Sequence, residues 1–74
     1  MYGMNTYKIG MIFDHDFYGE HILCSPKKGF ACLISLQTGY AFKDMIEVEN
    51  IKEITPQEFR IINGNRTKYW IFQP

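Results

Sequence analysis

Apolar and polar positions alternate with a period of two along most of this chain, as half-buried strands require. In Tyr7 to Phe13, the residues Tyr7, Ile9 and Met11 share one side, which predicts a first strand. Residues 1–6 ahead of it read as a loose arm. Asp14 to Glu20 breaks the alternation with Asp14, Asp16, Glu20, His15, Phe17, Tyr18 and Gly19, and reads as a loop. His21 to Ser25 is a second strand, and Pro26-Lys27-Lys28-Gly29 is a turn with Pro at its start and Gly at its end. Phe30 to Leu36 alternates Phe30, Cys32, Ile34 and Leu36 with a second set that is also largely apolar, which predicts a central strand. Gln37-Thr38-Gly39 turns into a fourth strand at Tyr40-Ala41-Phe42, extending toward Val48 through a bend near Lys43-Asp44.

After a short extended run at Ile51 to Ile54, the period changes. Thr55-Pro56-Gln57-Glu58 places a Thr N-cap, a Pro at the first helical position and a Glu at the third. The helix that follows stops at Asn63-Gly64, a pair that tolerates the left-handed conformation. A competing reading makes Asn63-Gly64 a hairpin turn between two strands. The capping box and the Pro favour the helix. Thr67 to Phe72 is the closing strand.

Composition agrees with this pattern. There are ten Ile, six Phe and five Tyr, against two Ala and three Leu. β-branched and aromatic side chains suit a pleated surface, whereas Ala and Leu favour helices. The expected fold is mostly β: a five-stranded SH3-like small barrel with one short helix before the last strand. At 74 residues it forms a single domain, and its core is small. Phe13, Phe30, Phe42 and Phe59 are expected inside.

The stretch from Tyr18 to Ile62 contains Ile22-Leu23, the run Ala31-Cys32-Leu33-Ile34-Ser35-Leu36-Gln37-Thr38-Gly39, Ile46-Glu47-Val48 and Ile54-Thr55-Pro56-Gln57-Glu58-Phe59. In these segments it resembles short uncharacterised SH3-like small-barrel proteins of phages and prophages of Gram-positive bacteria. Such relatives often have polar residues and a Trp after the Thr-Gly turn, where this chain has Tyr40-Ala41-Phe42. The shared segments are turns, core strands and a helix cap, so they imply a fold and carry no chemistry. The resemblance implies a protein that binds and modulates a host protein.

Charge narrows the function classes. Eight Lys plus Arg balance eight Asp plus Glu. Binding nucleic acid by bulk charge needs a surplus of cations, so that partner is disfavoured. Read along the chain, residues 1–59 carry five basic and eight acidic side chains, while residues 60–74 carry three basic and no acidic ones. The cancellation leaves a polarised surface able to steer a charged partner.

No group of residues supplies a nucleophile with a base and an orienting group, so no enzyme is expected and no catalytic residue is assigned. Asp14-His15-Asp16 with Glu20 and His21 is the densest ionisable cluster, but its spacing matches no zinc or calcium loop. No metal or other cofactor is expected, and the cluster reads as a solvated acidic loop. Cys24 and Cys32 flank the Lys27-Lys28 turn. A four-residue loop sets Cys24 opposite Ala31. A five-residue loop sets Cys24 opposite Cys32 and Ile22 opposite Ile34, bringing all four into the core. Two reduced, buried thiols are then expected, although a disulfide is geometrically conceivable.

The expected function is a non-enzymatic protein-binding module, a phage-type modulator or inhibitor of a host protein or defence complex. Its partner-binding residues are Asp14, Asp16, Phe17, Tyr18, Glu20, Tyr40 and Trp70, since Tyr and Trp are favoured at interface hot spots. Homo-oligomerisation would suit the same surface. The alternative is a nucleic-acid-binding barrel in which Tyr69, Trp70 and Phe17 stack on bases while Lys27, Lys28, Arg66 and Lys68 contact phosphates. No apolar stretch reaches the length of a membrane span and the first residues do not form a signal peptide. A cytoplasmic protein with no membrane partner is therefore expected.

Overall fold

Gly10 divides the first apolar run in two. Its φ of 101° lies in the region that disfavours side chains, and the Met11 amide donates to the Lys8 carbonyl across the turn at 3.2 Å. The computed structural model describes residues 6–64 and the backbone of residues 70–73. The described residues are mostly β, with seven short strands, one helix and two sheets. The strands are β1 (Tyr7–Lys8), β2 (Ile12–His15), β3 (Gly19–Lys27), β4 (Phe30–Ser35), β5 (Ile46–Glu47), β6 (Glu53–Ile54) and β7 (Trp70–Gln73). The helix α1 is Pro56–Asn63.

The larger sheet has the order β5-β4-β3-β2-β7 and every pairing in it is antiparallel. β1 leaves it and pairs with β6, Tyr7 opposite Ile54. The expected single strand from Tyr7 to Phe13 is thus two strands serving two sheets. The larger sheet does not close into a barrel, since β5 and β7 stand at its opposite edges. Nor is Asp14 to Glu20 a long loop. β2 and β3 continue to His15 and Gly19, leaving a three-residue turn, Asp16 to Tyr18. The expected fourth strand at Tyr40 to Phe42 reduces to one bridge between Ala41 and Ile34.

The helix forms as its cap predicts. The Thr55 hydroxyl oxygen accepts the Glu58 amide proton at 3.2 Å, and the Glu58 carboxylate accepts the Thr55 amide proton at 2.9 Å. Gly64 ends it with a left-handed φ of 69°. Phe59 and Ile62 are buried in a core shared with Phe13, Leu23, Ala31, Leu33, Val48 and Ile54. Tyr7 stacks on Phe59 with ring centroids 4.3 Å apart, and Phe13 lies 4.7 Å from Phe59.

The register of β3 on β4 sets Cys24 opposite Cys32 and Ile22 opposite Ile34, as the longer loop requires. A shift between Cys24 and Lys27 absorbs the extra residue. It falls around Pro26, which has no amide proton to give to a ladder. The core, however, takes the other set, Leu23, Ala31 and Leu33. Ile22, Cys24 and Ile34 are therefore half-buried on the opposite face, contrary to expectation, and only Cys32 is fully covered there. Phe30 shares that face and is half-buried. The Lys27 ammonium lies 4.9 Å from its ring centroid. Phe42 is also only half-buried, packed at the margin of the core.

Candidate functional site

The turn between β2 and β3 is held by a side chain from the interior. His15 is buried, and its Nδ1 accepts the amide protons of Phe17 at 3.1 Å and Tyr18 at 3.4 Å. This is the role an Asp or Asn oxygen plays in a tight turn. His21, also buried, uses Nδ1 as a donor to the Gly19 carbonyl at 3.0 Å. The two imidazoles contact an aromatic group. Tyr18 lies 4.7 Å from His15, and Phe42 lies 5.6 Å from His21 and 5.5 Å from Tyr18. The histidines thus turn inward on the core side, contrary to the solvated loop the sequence predicts for the whole cluster. Alternation could have shown this, since His15 and His21 share the parity of Phe13 and Leu23.

Beside this group lies a cleft of about 580 Å³. His21 from β3, Ser35 from β4 and Asn63 from α1 contribute polar groups to it, and Tyr18, Tyr40 and Phe42 contribute rings. Three other lining residues, Gln37, Thr38 and Lys43, come from the segment after β4. That segment is ordered by its own hydrogen bonds. Ser35 Oγ accepts the amide protons of Gln37 and Thr38, both at 3.2 Å. Thr38 Oγ1 accepts that of Tyr40 at 3.2 Å, and the Tyr40 carbonyl accepts from the Ser35 amide at 2.9 Å. These bonds project Tyr40 into solvent.

The expected partner residues fall into separate groups. Tyr18 and Tyr40 both line the cleft. Phe17, at the tip of the β2–β3 turn, has its ring centroid 6.4 Å from that of Tyr18. Asp16 is exposed in the same turn. Asp14 and Glu20 are register partners. Their parity sets them on the face of the larger sheet that carries Ile12 and Ile22, away from the core. Trp70 pairs through its backbone with His15. Lys27 and Lys28 sit at the far end of β3, about 25 Å of strand away from Gly19. Arg66, Lys68 and Tyr69 lie outside the described residues. Ser35, Lys43 and Asn63 are not legible as site residues in the sequence, because no local pattern brings Asn63 to the other two.

Burial pushes both thiols up. Cys32 rises to about 11, chiefly through desolvation and then through Cys24 beside it, and Cys24 is raised by desolvation. Both are free cysteines. Among the described residues, no group of three or more His, Cys, Asp or Glu converges on a point that could hold a metal ion. No described helix is long and apolar enough to cross a membrane. No family model, curated protein or solved structure matches the chain.

Proposed function

We propose that this chain is a non-enzymatic binding module that docks a partner protein through the aromatic rim of the cleft. One observation carries the reading. Phe17 is 80% exposed and Tyr40 77% exposed, with Tyr18 at 48% between the turn and the cleft. Large aromatic side chains left in water next to a concave surface are the composition of interface hot spots. Asp16 adds negative charge to the rim. The resemblance to phage small-barrel proteins favours a host protein, as the target of a modulator or inhibitor, over a second copy of the chain.

The strand order supports an SH3-like fold. The last strand lies beside the first member of a four-strand meander and is the next described element after the helix, as in an SH3-like barrel that has stayed open. Nucleic acid is a weaker reading. Lys27 and Lys28 stand at the opposite end of β3 from Tyr18 and Tyr40, so one short strand cannot easily engage both.

The test is capture from bacterial lysate by the immobilised chain and by its Tyr40→Ala and Phe17→Ala variants. A specific protein held by the parent chain and lost with both variants supports the reading. Recovery of nothing specific, or of the same protein by all three, overturns it.

A further inference from the structure

The cleft has a chemical preference set by which of its polar groups still have a proton to give. Ser35 Oγ accepts two amide protons, from Gln37 and Thr38. Both lone pairs are thereby used and its own O–H remains to donate. Ser35 is nearly buried, at 8% exposure, and lines the cleft. Lys43 also lines it and makes no hydrogen bond or ion pair among the described residues. No Asp or Glu is among the described residues that line it. The site therefore offers a hydroxyl proton and an ammonium group, with no carboxylate side chain among its described lining residues.

The amount of charge narrows the ligand. The Lys43 ammonium lies over the C-terminal end of α1, with Nζ 3.0 Å from the position a Cβ would take on Gly64. A helix C-terminus carries about half a negative charge, which offsets part of the lysine. With no second Lys or Arg among the described lining residues, a monoanion is favoured over a dianion. Flat walls complete the site, since Tyr18, Tyr40 and Phe42 line it together.

We infer that the cleft receives a carboxylate, hydrogen-bonded by the Ser35 hydroxyl and the Lys43 ammonium, with the adjoining apolar group of the ligand against Tyr18 and Tyr40. The inference rests on the binding-module reading and names what the partner presents: an acidic side chain or a chain terminus next to an apolar residue. A charge-assisted hydrogen bond of this kind is stronger than one between neutral groups and discriminates an acid from its amide.

The experiment is a titration of the isotope-labelled chain followed by amide chemical shifts. The probes are N-acetylphenylalanine, its amide, the blocked dipeptide Ac-Phe-Glu-NH₂ and inorganic phosphate. Saturable shifts at Ser35, Gln37, Thr38 and Lys43 are expected with a carboxylate probe, at an affinity of about 1 mM for so small a ligand. The stronger of the two carboxylate probes identifies the source as a terminus or a side chain. Lys43→Met should weaken that binding about fivefold or more, and Lys52→Met, away from the cleft, should leave it unchanged. Ser35→Ala should weaken it too, but Lys43→Met decides the matter because Lys43 is exposed and its loss does not threaten the fold. Equal shifts with the amide, tighter binding of phosphate, no shift with any probe, or equal loss in both lysine variants overturns the inference. Lysate capture that depends on Tyr40 without a carboxylate response would remove this inference and leave the module. A carboxylate response without capture would keep the site and remove the protein partner.

Discussion

His15 Nδ1 accepts the amide proton of Phe17, two residues ahead, at 3.1 Å. A buried imidazole thereby holds the backbone under the most exposed aromatic ring of the candidate surface. Replacing His15 with Ala removes this acceptor for the Phe17 and Tyr18 amides and leaves space in the aromatic cluster. The expected loss of stability is about 1–3 kcal/mol, measured by urea unfolding. Amide hydrogen exchange should accelerate at Phe17 and Tyr18 before the rest of β2 and β3. An unchanged exchange pattern would show that the turn holds without its imidazole.

Asp14 and Glu20 oppose each other across β2 and β3. The amide of Leu23 bonds to Met11, so by alternation Asp14 and Glu20 occupy a pair without ladder hydrogen bonds, where side chains approach most closely. Like charges there are unfavourable. Glu20→Lys should stabilise the chain by about 0.2–1 kcal/mol. If it also weakens partner binding, the acidic pair is retained for contact at the expense of stability. A fall in the unfolding midpoint would contradict the repulsion.

The two thiols give a pH dependence with a definite sign. Both are raised in the folded chain, Cys32 from 9.0 to about 11. Above 9.0 the unfolded chain releases these protons first, so it is favoured as pH rises. Their contribution to stability should be full below pH 9.0 and lost progressively toward about 11. Unfolding midpoints across that range, compared with a Cys32→Ala variant, isolate the effect. The same alternation puts Cys24 and Cys32 at a hydrogen-bonded pair, where Cβ atoms are spaced wider than a disulfide prefers. Mild oxidation should leave two titratable thiols per unfolded chain.

The helix caps are separable. Thr55→Ala removes the acceptor for the Glu58 amide and should cost about 1 kcal/mol. Gly64→Ala forces a side chain into a left-handed conformation, at a cost of about 1–2 kcal/mol. The atom it meets is the flexible end of Lys43, so the strain comes from the backbone and not from packing. Double substitution should be close to additive, because the two ends of α1 share no partner. Thermal unfolding of the two single variants and the double variant tests this.

Local chemistry determined much of this protein from the sequence alone. The helix is legible because Thr55, Pro56, Glu58 and Gly64 act within a few residues of one another. The mostly-β character follows from its Ile and aromatic content, and the Cys24–Cys32 register was one of two allowed by loop length. The tertiary structure decided what depends on distant partners. Both faces of β4 are apolar, so the pattern could not say whether Leu33 or Ile34 faces the core. α1 packs against the Leu33 side and settles it. The alternation runs through Gly10 as one strand, and only the pairing of Tyr7 and Lys8 with β6 parts them from β2. The cleft is beyond any local signal, because it brings Ser35 and Lys43 together with Asn63 at the end of α1, and only the packing of the helix on the sheet creates that neighbourhood.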